Sequence, residues 1–479
     1  MRLIATAVLA LSSTALVAAA NPVTVSTKLD AAWQAKTRAM YETVVEIPTV
    51  AGRNEVPRLA EYIAGQLKTA GIPADDIKIL PYQGNKGDKT VNLIARWRAE
   101  GTPSKKPILL MAHMDVVEAK RSDWQNDPFE FIEKDGYFYG RGTNDNKAGL
   151  TGILASVLKL KQAGFKPDRD LIIFFSGDEE VGGNGARLGS TEMRQFTDAE
   201  YALNSDGGGG AFLKNGQSLG YALQTAEKTF QTYFFTVRNR GGHSSRPRPD
   251  NAIYQLADGL KKLQAHRFAP MQNETSRAYF AARAQQEGKS PLGEAIRKWL
   301  ANPNDGVAAD AIENDALETG LTRTRCVATL LEAGHADNAL PQMARAGVNC
   351  RIFPGITPDA IQAELQATVG KNVEVTKDPT YIGTATDPSP LRPEVLAAYT
   401  KAVQALHGSS VHVIPYMSAG ATDGLFFRAA GIPVYGIDGT WGISPDDERA
   451  HGLDERVPVR ALYDNVLFWE SLLRDLAGR

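Results

Sequence analysis

Three apolar runs of strand length, at residues 108–112, Leu171–Ser176 and 201–205, are each followed within a few positions by a histidine or an acid. Runs of this kind, bounded by charge and glycine, read as strands buried on both faces. A helical pattern at 147–164 separates the first two. Upstream, apolar residues at helical spacing over 29–50 and 55–70, stopped by Gly71 and Pro73, precede strand candidates at 77–80 and 91–98. Strands alternating with helices predict an α/β layer with a largely parallel mixed sheet flanked by helices. In such sheets, ligands sit beyond the carboxyl ends of the strands. His113, Glu179, Glu180 and Asp206 are therefore expected to face one crevice.

The middle of the chain has a different rhythm. Residues 220–238 read as two strands, 251–264 as a helix, 325–331 and 344–353 as strands, Pro358–Val369 as a helix and 373–377 as a strand. This predicts a small α+β domain over 220–386 inserted into the larger one, which occupies 21–219 and resumes over 387–479. Within the insertion, 266–320 is polar and punctuated by Asn, Pro and Gly, with one helix expected at 293–300. It reads either as an excursion of the inserted domain or as a surface loop.

At 479 residues the chain is long for one core, so two domains are the default. A net charge of -2 leaves no basic surplus, which argues against nucleic acid as a partner. Arg2, an apolar run over 3–17 and Ala18-Ala19-Ala20 read as an export signal spanning 1–20, against the alternative of an uncleaved anchor. No other run is long enough to cross a bilayer, so the mature protein is expected in a periplasmic or extracellular space without a stable span. The two cysteines, Cys326 and Cys350, fall on neighbouring strand candidates; they are either bridged or two buried thiols. Two cysteines do not make a thiolate zinc site, so a metal here needs oxygen and nitrogen ligands.

The chemistry-bearing segments supply them. In MAHMDVV, His113 and Asp115 lie on the same side of an extended chain, so Asp115 can fix the imidazole's tautomer. In GRGTNDNKAG, glycines let the backbone turn and present Asp145, whose carboxylate can serve two metals or cap the following helix. In SGDEEVGG, three consecutive acids after an apolar strand are costly without cations. One of Glu179 and Glu180 can bind metal while the other acts as general base; a solvated acidic turn is the alternative. Asp206 in NSDGGGG ends a strand, and His451 in RAHGLDE closes the set, with Asp454 and Glu455 beside it read as solvated. No serine-nucleophile elbow or phosphate-binding loop is present.

Taken together, MAHMDVV, DWQNDPFEFIEKDGYFYGRGTNDNKAG, SGDEEVGG, NSDGG, RGGHSSRP, RIFPG, SAGATD and AHGLDERV resemble the aminoacylase/glutamate-carboxypeptidase family of co-catalytic di-zinc hydrolases across essentially the whole mature chain. The resemblance implies a zinc-exopeptidase-like catalytic domain with a ferredoxin-like lid, and two Zn2+ per chain, with Co2+ or Mn2+ as substitutes. It implies that Asp145 bridges, that His113 and Asp206 hold one metal, and that Glu180 and His451 hold the other. Glu179 is then the general base, Asp115 orients His113, and the Asp145–Asn146 peptide is cis. His243 resembles a lid histidine that polarises the scissile carbonyl, often across a dimer. Arg351 resembles the lid arginine that grips a substrate carboxylate, a role suited to a planar bidentate donor. Asn338 and Gly420 match substrate-contacting positions, and the lid offers a route to a homodimer. The expected activity is a carboxypeptidase or dipeptidase acting on small peptides. An N-acyl-amino-acid amidohydrolase is the alternative, and a non-enzymatic peptide- or metal-binding protein the remote one.

Overall fold

The structure, a computed structural model, describes residues 22–478 apart from 86, 104 and 382; the expected export signal lies outside the described residues. The larger layer is built on a mixed ten-stranded sheet. Its centre is parallel, with Leu171–Ser176, Ile108–His113, Tyr201–Asn204 and Val434–Gly436 side by side. Lys89–Trp97 and Ile77–Gln83 extend it antiparallel on one side. On the other side, Ser218–Glu227 lies antiparallel to Val434–Gly436 and parallel to Val413–Ser418. Gly210–Phe212 and Trp441–Ile443 complete that edge.

The central strands are continuous apolar runs because both faces are covered. Ile108, Leu110, Leu171, Ile173 and Phe175 pack with the helices Lys147–Gln162, Ala31–Glu46 and Val459–Ala477. The alternate residues Leu109, Met111, Ile172 and Phe174 pack on the opposite face with Ala186 and Phe427. Each such side chain contributes about 1.5–3 kcal/mol on burial. That apolar drive fixes the register, and the register sets His113 level with Ser176 and Met111 level with Asn204.

A second, antiparallel sheet runs in the order Arg325–Ala333, Met343–Ile352, Thr229–Arg238, Glu374–Lys377. With the helices Ala252–Ala265 and Pro358–Val369 it has a core of its own, filled by alternate residues such as Tyr233, Phe235 and Val237. Strand, helix, two strands, helix, strand is the order of a ferredoxin-like unit. The strand Ser218–Glu227 belongs to the large sheet, so the chain passes between sheets at Lys228 rather than at Gly220. Cys326 and Cys350 sit directly opposite each other and are joined by a disulfide.

Residues 266–320 are neither a loop nor a single helix. Glu274–Glu287, Pro291–Ala301 and Gly306–Ile312 are helices gathered on Phe280, Ile296, Trp299 and Ile312, and this cluster also takes in Met417 from the large sheet. The helix expected at 293–300 is present, and the other two are hidden in the sequence by polar caps: Asn273, Ser290 and Asp305 each accept a backbone N–H at a helix start. Among the described residues, no helix is long and apolar enough to cross a membrane.

Candidate active site

His113 ends its strand, Glu179 and Glu180 follow the neighbouring strand, and Asp206 follows the next, so three adjacent parallel strands deliver their functional groups to one end of the sheet. Asp145 comes from the turn before the helix Lys147–Gln162. In that turn Gly142 has φ +85°, and a Cβ there would lie 2.5 Å from Val116, so no other residue fits without displacement. The peptide Asp145–Asn146 is cis. His451 arrives from a distant loop with φ +61°, a left-handed conformation uncommon outside glycine.

Asp145 lies between the two histidines. Its Oδ1 is 3.0 Å from Nε2 of His113 and its Oδ2 is 3.1 Å from Nε2 of His451. Asp206 lies 3.5 Å from His113, and Glu180 lies 2.9 Å from His451. Each imidazole thus has its own carboxylate and shares Asp145. The ligand atoms of His113, Asp145 and Glu180 lie within 4.8 Å of one another, as do those of His113, Glu179 and Asp206. Among the described residues the Glu179 carboxylate has no hydrogen-bond partner, whereas that of Glu180 is engaged by His451.

The electrostatics of this cluster favour a cation. Burial pushes Asp206 up to about 7. Burial and then the charge of Asp206 push Glu179 well above the usual carboxylate range, and burial also raises Glu180. Asp145 goes the other way: burial opposes ionisation, but hydrogen bonds from His113 and His451 hold it low. Hydrogen bonds to Asp145 and Glu180 raise His451 to about 10. Burial lowers His113, but Asp206 and the surrounding acids override it and hold the imidazole well above its ordinary value. A set of acids that resists full ionisation, and imidazoles that retain protons in compensation, is what a site for divalent cations presents when only protons are available to it. Two imidazoles and three carboxylates, with both cysteines bridged, suit zinc or a similar divalent ion.

The supporting groups were less legible in the sequence. Nδ1 of His113 lies 3.0 Å from the carbonyl of Asp115 and 3.5 Å from its carboxylate. That carboxylate accepts the backbone N–H groups of Glu179 and Glu180, at 3.1 and 3.0 Å, so Asp115 positions both glutamates as well as His113. Asp178 accepts from the Tyr82 hydroxyl and from the amides of Asn184 and Gly185, which fixes the acidic turn from behind. Burial raises Asp178 to about 6. The helix after Asp145 begins at Lys147 with Asn146 in the N-cap position, so Asp145 is free of the capping role.

Glu455 corrects the sequence reading most sharply. It is fully buried rather than solvated. Its carboxylate accepts from Arg141 at 2.6 Å and from the amides of Gly142, Asn144 and Asp145. It therefore holds the whole turn that presents Asp145. Its only sequence signal was proximity to His451.

The remaining candidates form two groups. Arg351 is half-buried, stacks on Phe230 at 4.9 Å and donates to the carbonyl of Ala419 at 3.1 Å, which brings it to the Gly420 loop. Burial lowers its pKa. Tyr381, which the sequence reading missed, lies close to this arginine: its ring packs on Phe230, and its phenol, raised by burial, also feels Arg351 and Glu179. His243 and Asn338 are brought together elsewhere. The short strands Gly242–His243 and Ala339–Leu340 pair, and Asn338 accepts from the Ser244 amide. His243 is exposed, bonds Ser245, and among the described residues has no hydrogen bond to the metal-type cluster.

Fold and donor set together define a metal-dependent hydrolase. The model of Peptidase family M20/M25/M40 matches residues 109–475, and the chain belongs to that family. The chain is 29% identical over 384 residues to the N-fatty-acyl-amino acid synthase/hydrolase of Homo sapiens, covering 78% of this chain and 74% of that protein. It is 28% identical over 405 residues to the probable carboxypeptidase S-like 2 of Dictyostelium discoideum, covering 80% and 74%. Its fold is similar to that of an M20 family metallo-carboxypeptidase from Sulfolobus solfataricus, with a TM-score of 0.66 at 18% identity over 92% of this chain and 98% of that one.

Proposed function

We propose that this protein hydrolyses an amide bond next to a free carboxylate, using two zinc ions. Asp145 would be shared between them, His113 and Asp206 would hold one, and Glu180 and His451 would hold the other. The observation that carries this reading is the placement of Asp145, with one carboxylate oxygen turned to each histidine. When bound, such metals supply Lewis acidity and make water a usable nucleophile near neutral pH. Glu179, whose carboxylate has no hydrogen-bond partner among the described residues, would take the proton from the attacking water and return it to the leaving nitrogen. Arg351, close to Tyr381 and the Gly420 loop, grips the substrate carboxylate. The four-stranded unit acts as the lid, with Lys228 at its root. His243 lies on that unit's exposed hairpin, and we assign its carbonyl-polarising role to contact with a second copy of the chain. The exposed Val327, Leu330 and Leu331 on the edge strand Arg325–Ala333 support such a dimer.

Between the two substrate readings, we favour an N-acyl amino acid over a small peptide. Support comes from the likeness to the human N-fatty-acyl-amino acid synthase/hydrolase and from the three helices packed on the large sheet. The carboxypeptidase S-like relative keeps the peptidase reading as the second. Export is part of the proposal, and the Cys326–Cys350 disulfide is consistent with an oxidising compartment.

The test is a mixed panel of dipeptides and N-acyl amino acids, read by mass spectrometry with and without chelator, on the wild type and on Glu179→Ala. Chelator-sensitive cleavage by the wild type is expected. The variant should keep its metal content and lose turnover. Retained turnover in the variant would sink the assigned mechanism.

A further inference from the structure

A cleft of about 580 Å³ runs along the edge of the large sheet. Its inner end is formed by Asn144, immediately before Asp145, and by Gly208, two residues past Asp206. One wall is the strand pair Ser218–Glu227 and Val413–Ser418, which contributes Leu219, Ile414 and Tyr416. Ile414 and Tyr416, two apart on a strand, point the same way. The facing wall is Tyr279 from the helix Glu274–Glu287, whose ring meets Tyr416 at 6.0 Å. Trp441 and Ile443 line the sheet side.

Three observations say what this space takes. Leu219, Tyr279, Ile414, Tyr416, Trp441 and Ile443 give it aromatic and aliphatic patches, set among glycines and a few polar residues. Asp447 and Arg456 in the lining form an ion pair at 2.7 Å, and the remaining charged lining residue, the exposed Glu448, is an acid, so no unpaired cation is left in the cleft to attract an anionic ligand. The strand that carries Ile414 and Tyr416 ends at Ser418, one residue before Ala419, whose carbonyl Arg351 contacts. A molecule held by its carboxylate at Arg351, with its amide at Asp145, would thus have an apolar groove leading away from the amide. The outer wall exists because of 266–320: Thr275 bonds Thr225 at 2.6 Å, and Phe280 packs on Trp299 beneath Tyr279.

We propose that this cleft is an acyl-chain subsite and that the inserted helices make the enzyme selective for long N-acyl groups. The proposal rests on the N-acyl-amino-acid reading given above, and the two are tested separately. The substrates are N-acetyl, N-hexanoyl, N-decanoyl and N-palmitoyl phenylalanine. Wild-type kcat/KM should rise with chain length, by up to about fourfold per buried methylene. Ile414→Trp blocks the cleft, and Leu219→Trp does so from a position 43% exposed, where folding is not at risk. Each should lower the palmitoyl-to-acetyl ratio of kcat/KM by at least about tenfold. Tyr279→Ala should lower it as well by removing the outer wall. Palmitate binding to the metal-loaded protein, followed by calorimetry, gives a readout without turnover and should weaken in both tryptophan variants.

Acyl substrates cleaved with the same ratio in wild type and variants would overturn the subsite and leave the hydrolase reading intact. No acyl substrate cleaved, but palmitate bound by the wild type and lost in the variants, would support the cleft and overturn the substrate reading. Neither cleavage nor binding overturns both.

Discussion

Replacing Glu455 with glutamine preserves the side chain's shape and removes its charge. In the wild type, one carboxylate oxygen takes Arg141 and the Gly142 amide, and the other takes the amides of Asn144 and Asp145. A glutamine keeps one accepting oxygen and turns an NH2 group toward the other pair of donors. The Arg141 guanidinium, with a side chain 3% exposed, then lacks its counter-charge. Removing one partner from a buried ion pair costs about 3–5 kcal/mol. The orphaned donors are part of that figure rather than an addition to it, because the groups act as a unit. Burial pushes the Glu455 carboxyl up, but four donors converging on two oxygens need an anion, so the charge is the functional state. Glu455→Gln should therefore lower unfolding stability of the metal-free protein by about 3–5 kcal/mol in guanidinium denaturation. It should also weaken metal binding by about 10–100-fold, since the turn presenting Asp145 is no longer held. A variant with an unchanged denaturation midpoint and unchanged metal affinity would refute the claim that Glu455 sets the position of Asp145.

Other expectations follow from the same structure. The Cys326–Cys350 bridge spans a sequence separation of 24, so Cys326→Ser with Cys350→Ser should cost about 3–4 kcal/mol, and reductant should produce a similar loss in the wild type alone. His407, packed on Tyr221 and Trp441, is pulled down to about 3 by burial and then by Arg460 and Lys28. Its folded pKa lies below the unfolded value of about 6.5, so the stability it contributes is present above that pH and is lost as the pH falls toward 3. His407→Gln should flatten the acid limb of stability by up to about 1.4 kcal/mol per pH unit. Asp464, raised to about 6 by burial, acts in the opposite sense in both proteins, so the wild-type-minus-variant difference is the quantity to measure.

The sequence itself determined the parallel centre of the large sheet, because runs buried on both faces must be apolar throughout and their ends mark where functional groups emerge. It also offered the candidate groups His113, Asp145, Glu179, Glu180, Asp206 and His451, each ambiguous in its own motif, and the family resemblance joined them into one set. Only the tertiary structure decided how those groups pair. The division of Asp145 between two histidines depends on a loop that ends at His451, and no local pattern encodes a contact across that distance. The same holds for Glu455, whose burial comes from the turn at 140–145 closing over it. It also holds for Tyr381, a lone aromatic residue in the irregular segment after the strand Glu374–Lys377, whose carbonyl accepts from Gln231. Of the helices of 266–320 the sequence showed only the one at 293–300, because capping residues dominate the composition of the rest, and their apolar faces have meaning only against Met417 and the strand Val413–Ser418. Local chemistry is written in neighbouring residues; long-range pairing is set by which surfaces remain to be buried once the local elements have formed.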